Sequence, residues 1–273
     1  MDGNGRRGTS QSLERGLSIL SSFSAGRQQI GISELSRELG LTRSTTHRYV
    51  ATLARLGYLH QDPGTRKYAL GARVLDLGFT AINSMELRQI ASPHLKRLCD
   101  ETGHTVNMAI LDDVDIVYIE RHRASRRNQD AIDLDLHVGS RLPAYCTSLG
   151  KVLLAFLPET ERDEALGRIT FDRRGPNTLT SRTALLAELE RVRSAGIAVN
   201  NEELAYGLRS VAVPVMAASG EAVAAVNLAA HRTMASLDDL VARIGPLMQR
   251  TAAEISAQLG YRSARPGAAP SIR

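Results

Sequence analysis

Apolar residues recur with a helical period on both sides of Gly40, and that interrupted pattern predicts a helix, a tight turn and a second helix over residues 31–59. Ile32, Leu35 and Leu39 stripe the first helix behind a candidate N-cap at Ser33, and Gly40 can take the left-handed conformation that reverses the chain. Thr42 caps the second helix. At 100° per residue, Thr46, Val50, Leu53 and Gly57 fall on one face of it, and Ser44, Arg48, Ala51 and Arg55 on the opposite one. Residues 58–61 and 66–70 read as short strands flanking the turn Asp62-Pro63-Gly64-Thr65, so a hairpin follows the helix pair and makes it a winged helix. Upstream, Leu13, Leu17, Leu20 and Phe23 predict a helix that closes this small core.

Beyond the wing, Val74, Leu75, Leu77, Phe79, Ile82 and Met85 predict a helix over residues 71–87 that is apolar around more than one stripe. A second copy of the same helix is the economical cover for such a surface; packing on its own C-terminal domain is the competing reading. Ser92-Pro93 marks a helix start, residues 105–111 and 114–120 a hairpin, and Ile132, Leu134, Leu136 and Val138 a further strand. A helix over 147–156 stops at Pro158, another spans Arg182 to Ala195 and ends at Gly196, strands cover 208–215 and 222–229, and a last helix runs over 237–259 behind Ser236. Hairpins with helices at either end predict an α+β fold with an antiparallel sheet. The expected layout is a tail (1–9), a winged helix-turn-helix (10–71), a linker helix (72–87), a sensor-like domain (88–262) and a second tail (263–273).

Charge sharpens the division. Residues 1–73 hold 11 Lys/Arg against 5 Asp/Glu, and the remaining 200 hold 23 against 24, so the excess positive charge lies with the winged helix. That is the footprint of a phosphate-neutralising module joined to a near-neutral one. The outer face of the second helix suits a major groove: Arg48 and Arg55, with Arg43, Ser44, Thr45 and His47 beside them, can reach base edges or phosphates, and Arg66 and Lys67 of the wing can lie along the backbone. An ordinary solvated face is the alternative.

Catalytic chemistry is hard to find. Cys146 stands at a helix start, where a thiol can act as a nucleophile, and an enzyme working on an aromatic or keto acid is the alternative function it raises. A buried structural thiol is the competing reading. No histidine has metal-ligand spacing, and HExxH, P-loop and GxGxxG patterns are missing, so neither metal nor cofactor is expected. Cys99 and Cys146 make no disulfide framework, and no apolar run is long enough for a membrane span; a cytoplasmic chain with reduced thiols is expected. A pocket fits the C-terminal residues better. Tyr145, Cys146, Thr147 and Ser148 offer hydroxyls and free N–H groups at a helix start, and Asn227 is a polar group in an apolar strand with Ala225 and Ala229 on its face. Arg209, next to Leu208 and Ser210, can grip a carboxylate or pair with Glu202 or Glu203.

The stretches SLERGLSIL, STTHRYVATLARLGYL, RKYALG, SRLPAYCTSLGKVLLAFLP and NNEELAYGLRSVAVPV resemble the isocitrate-lyase-regulator (IclR) family of bacterial transcription factors over residues 10–260. The resemblance implies a winged helix-turn-helix, a linker helix and a GAF-like effector domain, working as a homodimer or dimer of dimers on palindromic double-stranded operator DNA. VNMAILDDVDIVYIER and FDRRGPNTLTSRTAL narrow it to the subgroup controlling the protocatechuate branch of aromatic-acid breakdown. Its effectors are the small acids protocatechuate, 4-hydroxybenzoate or β-ketoadipate. By the same resemblance the effector cup is lined by residues 145–148, by Leu208, Arg209 and Ser210, and by the strand holding Asn227 and Ala229.

Overall fold

The computed structural model describes residues 10–24, 26–83, 85–124 and 136–262. The chain divides into two compact units between Ser84 and Met85.

In the first unit, helices α1 (Gln11–Ser21), α2 (Ile32–Glu38) and α3 (Arg43–Arg55) precede a hairpin of β1 (Leu59–Gln61) and β2 (Tyr68–Leu70), and α4 (Arg73–Asn83) follows. Its core is Ile19, Ile30, Leu35, Val50, Leu59 and Tyr68, with Ile30 bridging to Tyr68 so that the segment before α2 lies along the hairpin. Thr46 and Val50 point inward as the period requires, and Gly40 adopts φ +61 at the turn. Thr42 caps α3, its hydroxyl oxygen accepting the Thr45 N–H at 3.2 Å.

Two expectations for this unit are corrected. The cap of α2 is Gly31, not Ser33: the Glu34 carboxylate reaches back to accept the Gly31 N–H at 3.0 Å, which does from the third helical position what a serine hydroxyl does from the cap. On α1 the buried residue is Ile19, while Leu13 and Leu17 are 63% and 55% exposed; the leucine stripe faces out and Leu20 and Phe23 only flank the core.

The second unit is built on a six-stranded antiparallel sheet, ordered β5-β4-β3-β8-β7-β6, from β3 (Thr105–Asp112), β4 (Asp115–His122), β5 (Arg141–Pro143), β6 (Ala198–Asn201), β7 (Leu208–Met216) and β8 (Ala222–His231). Side-chain alternation sorts its two faces. Val106, Met108, Val211, Val213, Val226 and Leu228 form one, buried with α5 (Glu86–Thr102) and α10 (Gly245–Gln258). Ala109, Tyr118, Ala212 and Ala225 form the other, covered by α6 (Ser148–Phe156), with α7 (Glu159–Arg168) and α8 (Arg182–Ala195) in the same core. A short α9 (Leu237–Asp239) and a π turn (Leu240–Ile244) precede α10 in what reads from sequence as one helix.

The structure also moves several elements. The helix expected over 71–87 ends at Asn83, and α5 starts afresh at Glu86. Pro93 lies inside α5 rather than at its start; Ala91, Leu95, Leu98 and Cys99 are buried around it, and that burial offsets the backbone hydrogen bond proline gives up. Of the strand expected over Ile132, Leu134, Leu136 and Val138, the first two residues lie outside the described residues, and Leu136 and Val138 are not strand: Val138 and Gly139 form a turn, closed by the Ser140 N–H donating to the His137 carbonyl at 3.0 Å. Among the described residues no helix is long and apolar enough to cross a membrane.

The Thr42 hydroxyl also lies 2.9 Å from Thr45 Oγ1 and 3.1 Å from Ser44 Oγ, so one oxygen organises the first turn of α3. Thr42→Ala is expected to lower the stability of the first unit by about 1 kcal/mol and Thr42→Ser far less, read from the urea midpoint.

Candidate functional site

On the first unit, α3 presents Arg43, Ser44, His47, Arg48 and Arg55 to solvent, with Thr45 half-buried in the capping turn. The wing is set by Asp62, whose Oδ1 accepts from the Thr65 N–H at 2.6 Å and from its hydroxyl at 2.9 Å; these bonds hold the carboxyl below its ordinary range. Arg66 follows at φ +56, an uncommon value for a side chain with a Cβ, and Gln61 Nε2 donates to its carbonyl at 3.0 Å. That turn leaves Arg66 and Lys67 both exposed. Among the described residues none of Arg43, Arg48, Arg55, Arg66 and Lys67 is in an ion pair, whereas Arg27 pairs with Glu38. Cations without carboxylate partners can neutralise phosphate without first breaking an internal contact.

In the second unit the segment 144–151 is anchored by backbone contact. A Cβ at Gly150 would stand 2.2 Å from Ala144 Cα, so only glycine lets the 3-10 turn Ala144–Cys146 fold back on α6. Thr147 caps α6, accepting the Gly150 N–H at 3.1 Å. One turn on, Lys151 is buried and held by Glu188 of α8 at 2.9 Å and by Glu203 at 2.7 Å. Burial pushes the Glu203 carboxyl up; at Glu188 burial is outweighed by the charges of Lys151 and Arg191, which hold it down. The Glu203 N–H donates to Asn200 Oδ1 at 3.3 Å and Asn200 Nδ2 to the Cys146 carbonyl at 2.7 Å, so the triad is tied to the start of α6.

The residues expected to form the cup divide. Ser148 and Ser210 meet, with hydroxyl oxygens 2.7 Å apart; Ala229 pairs with Ser210 across β7 and β8, and Asn227 sits on the same face two residues before it. Leu208 packs half-buried at the edge of this core. Tyr145 and Thr147 are engaged elsewhere: the Tyr145 hydroxyl donates to the Asp172 carbonyl at 2.6 Å, and the Thr147 hydroxyl lies 3.3 Å from the Pro143 and Ala144 carbonyls. Cys146 is fully buried, and desolvation pushes its thiol up to about 12, an environment that favours the structural reading of this thiol over the nucleophilic one. Arg209 is separated from the others. Leu208 and Ser210 face α6, so the residue between them faces the other way; its guanidinium donates to Asn201 Oδ1 and to the Ala235 carbonyl, each at 3.3 Å, and pairs with neither Glu202 nor Glu203.

Two residues of this face were not singled out from sequence. Asn107 Nδ2 donates to Asn227 Oδ1 at 2.8 Å, and Arg121 Nη1 donates to Asn107 Oδ1 at 2.8 Å. Asn107 interrupts an apolar run as Asn227 does, which was a usable signal; Arg121 carried none.

A winged helix-turn-helix carrying unpaired cations, joined to an α+β unit with a polar cluster under one helix, defines the class of two-module transcription regulators. Residues 12–63 match the IclR helix-turn-helix domain and residues 79–257 match the C-terminal domain of the bacterial transcriptional regulator IclR, so the chain belongs to the IclR family. It is 37% identical to the Pca regulon regulatory protein of Pseudomonas putida over 91% of this chain and 84% of that one. It is 32% identical to the p-hydroxybenzoate hydroxylase transcriptional activator of Acinetobacter baylyi over 89% of each. Among solved structures, an IclR homolog from Microbacterium hydrocarbonoxydans complexed with 4-hydroxybenzoate superposes with a TM-score of 0.77 at 26% identity, over 92% of this chain and 99% of that one.

Removing the Lys151 charge strands two carboxylates in the interior. Lys151→Met is expected to cost about 3–5 kcal/mol, as breaking a buried ion pair does, and calorimetric melting of the purified protein measures it.

Proposed function

We propose that this regulator binds operator DNA through α3 and the wing and is controlled by a small aromatic or keto acid held in the C-terminal cup, governing genes of the protocatechuate or β-ketoadipate pathway. The observation that carries the DNA part is the row of exposed cations on α3 and the wing without carboxylate partners. Arg43, Ser44, Thr45, His47, Arg48 and Arg55 are assigned to the major groove and Arg66 and Lys67 to the phosphates. The chain then acts where the DNA is, in the cytoplasm. For the effector, Ser148, Ser210, Asn227 and Ala229 offer polar groups beside small ones, a suitable lining for a short ligand. The relatives named for the Pca regulon and for p-hydroxybenzoate hydroxylase, and the homolog crystallised with 4-hydroxybenzoate, support the acid class.

The assembly proposed is a homodimer, able to pair further into a dimer of dimers, with residues 72–87 as linker. Leu75 and Leu77 of α4 are 59% and 58% exposed, on a unit where Leu13 and Leu17 of α1 also face out. A symmetric partner presenting the same leucines covers them best. The acid acts by binding one disposition of the paired winged helices more tightly than another, which is the only way it can shift their balance.

Arg48→Ala is expected to weaken operator binding, with the slope of log affinity against log salt falling by about 1 if the contact is to phosphate. Acid binding, measured by calorimetry, stays unchanged; unaltered operator affinity at physiological salt would contradict the recognition-helix assignment. Replacing Leu75 and Leu77 together by glutamate is expected to shift the sedimentation-equilibrium mass toward the monomer, and an unchanged mass would place the dimer contact elsewhere.

A further inference from the structure

We infer that a cavity at the far end of α6 from Ser148 is a second ligand site, and that it takes a small organic cation: an ammonium or guanidinium group on a short apolar body. This site stands apart from the acid cup and does not depend on it. α6 runs nine residues, about 13 Å, from Ser148 to Phe156, and the cavity opens where the helix stops. Its volume is about 460 Å³, within the range of small-molecule sites. Leu153 and Leu157 at the end of α6, Leu111 near the end of β3 and Val223 near the start of β8 supply its apolar part. Asp113 of the β3–β4 turn and one face of α7 supply its polar part. Walls drawn from four elements bound it on several sides, which favours a small molecule over an extended peptide.

The α7 face follows from the helical period. Glu161, Glu164, Ala165 and Arg168 stand at i, i+3, i+4 and i+7 and share one side of the helix, with Ala165 buried and the three charged residues exposed around it. Their charges do not balance. Arg168 Nε lies 2.8 Å from Asp113 Oδ1, a pair that ties the β3–β4 turn to the end of α7 and cancels its own charge. The end of α6, where helix carbonyls carry partial negative charge, is already served by Arg193, whose Nη1 donates to the Ala155 carbonyl at 2.8 Å and to the Leu157 carbonyl at 3.2 Å. Glu161 and Glu164 are served by nothing: among the described residues neither has an ion pair or a hydrogen bond, whereas Asp163 between them pairs with Arg182 at 3.1 Å. A ligand for this hollow must bring positive charge to the two glutamates and apolar surface to Leu111, Leu157 and Val223, which are only half-buried. A metal ion has no such surface, and no group of side chains among the described residues is arranged to hold one. A carboxylic acid is repelled, so the two ends of α6 suit ligands of opposite sign.

The test is calorimetric titration of the full-length protein with hexylammonium and with hexan-1-ol, two probes with the same chain and different charge. Hexylammonium is expected to bind once per chain, more tightly than the alcohol, with an affinity that falls as salt is raised. The double variant Glu161→Gln/Glu164→Gln is expected to lose roughly 3- to 10-fold in affinity for hexylammonium and little for hexan-1-ol, the yield of two solvent-exposed charge contacts. Both glutamates are exposed, so its melting temperature is expected to stay close to that of the wild type. Absence of binding by hexylammonium, equal affinity for ammonium and alcohol, or a double variant that binds hexylammonium as the wild type does overturns the site. A protein that binds no hexylammonium, and whose sedimentation-equilibrium mass changes in the double variant, gives the hollow to a second copy of the chain and overturns it as well.

Discussion

Two-residue alternation along β3, β7 and β8 is the constraint on which the C-terminal unit depends. A strand cannot place adjacent side chains on one face, so one register choice both builds the apolar layer under α5 and α10 and turns Asn107, Asn227 and Ser210 toward α6. Slipping the pairing by one residue would bury those polar groups in the valine layer and drive the valines into the α6 face built around small and polar residues, which is why the register is held firmly. The polar face is tolerable because most of its members find partners: Asn107 with Asn227 and Arg121, and Ser148 with Ser210.

The buried ion triad secures the roof over that face. Lys151, Glu188 and Glu203 join α6, α8 and the segment after β6, and Asn200 carries the connection to the Cys146 carbonyl. Buried charges are a poor source of net stability, since desolvation cancels much of their attraction. Their value here lies in position. The contacts of Lys151 with both carboxylates, and of Asn200 with the Cys146 carbonyl, hold the start of α6 in place, and Ser148 is the first residue of that helix.

The turn and α3 of the first unit were legible because their signals are local: Gly40 at the turn, Thr42 at the cap, and Thr46 and Val50 one turn apart. For the same reason the span of α8, from Arg182 to Ala195 with Gly196 at its end, could be read from sequence. Misreadings arose where a signal had a rival or an origin far away in sequence. Leucines at 13 and 17 suggested the wrong buried face of α1, and Gly31, with Glu34 three residues on from it, caps α2 where Ser33 was expected to. Strands β5 and β6, of three and four residues, are too short to show a period. Arg209 was grouped with its sequence neighbours although alternation separates them, and a register shift between β3 and β4, far from any local sequence signal, decides which face Arg121 takes.

The proposed regulation requires that acid binding in the second unit change operator affinity, and linkage makes that coupling reciprocal: an acid that changes operator affinity has its own affinity changed by operator by the same factor. The most direct measurement is operator affinity by fluorescence anisotropy at fixed salt, with and without saturating acid, for the wild type and for a variant whose cup no longer binds it. The account predicts an operator dissociation constant that moves with acid in the wild type and stands still in the variant. An operator affinity indifferent to an acid that demonstrably occupies the wild-type protein would contradict it.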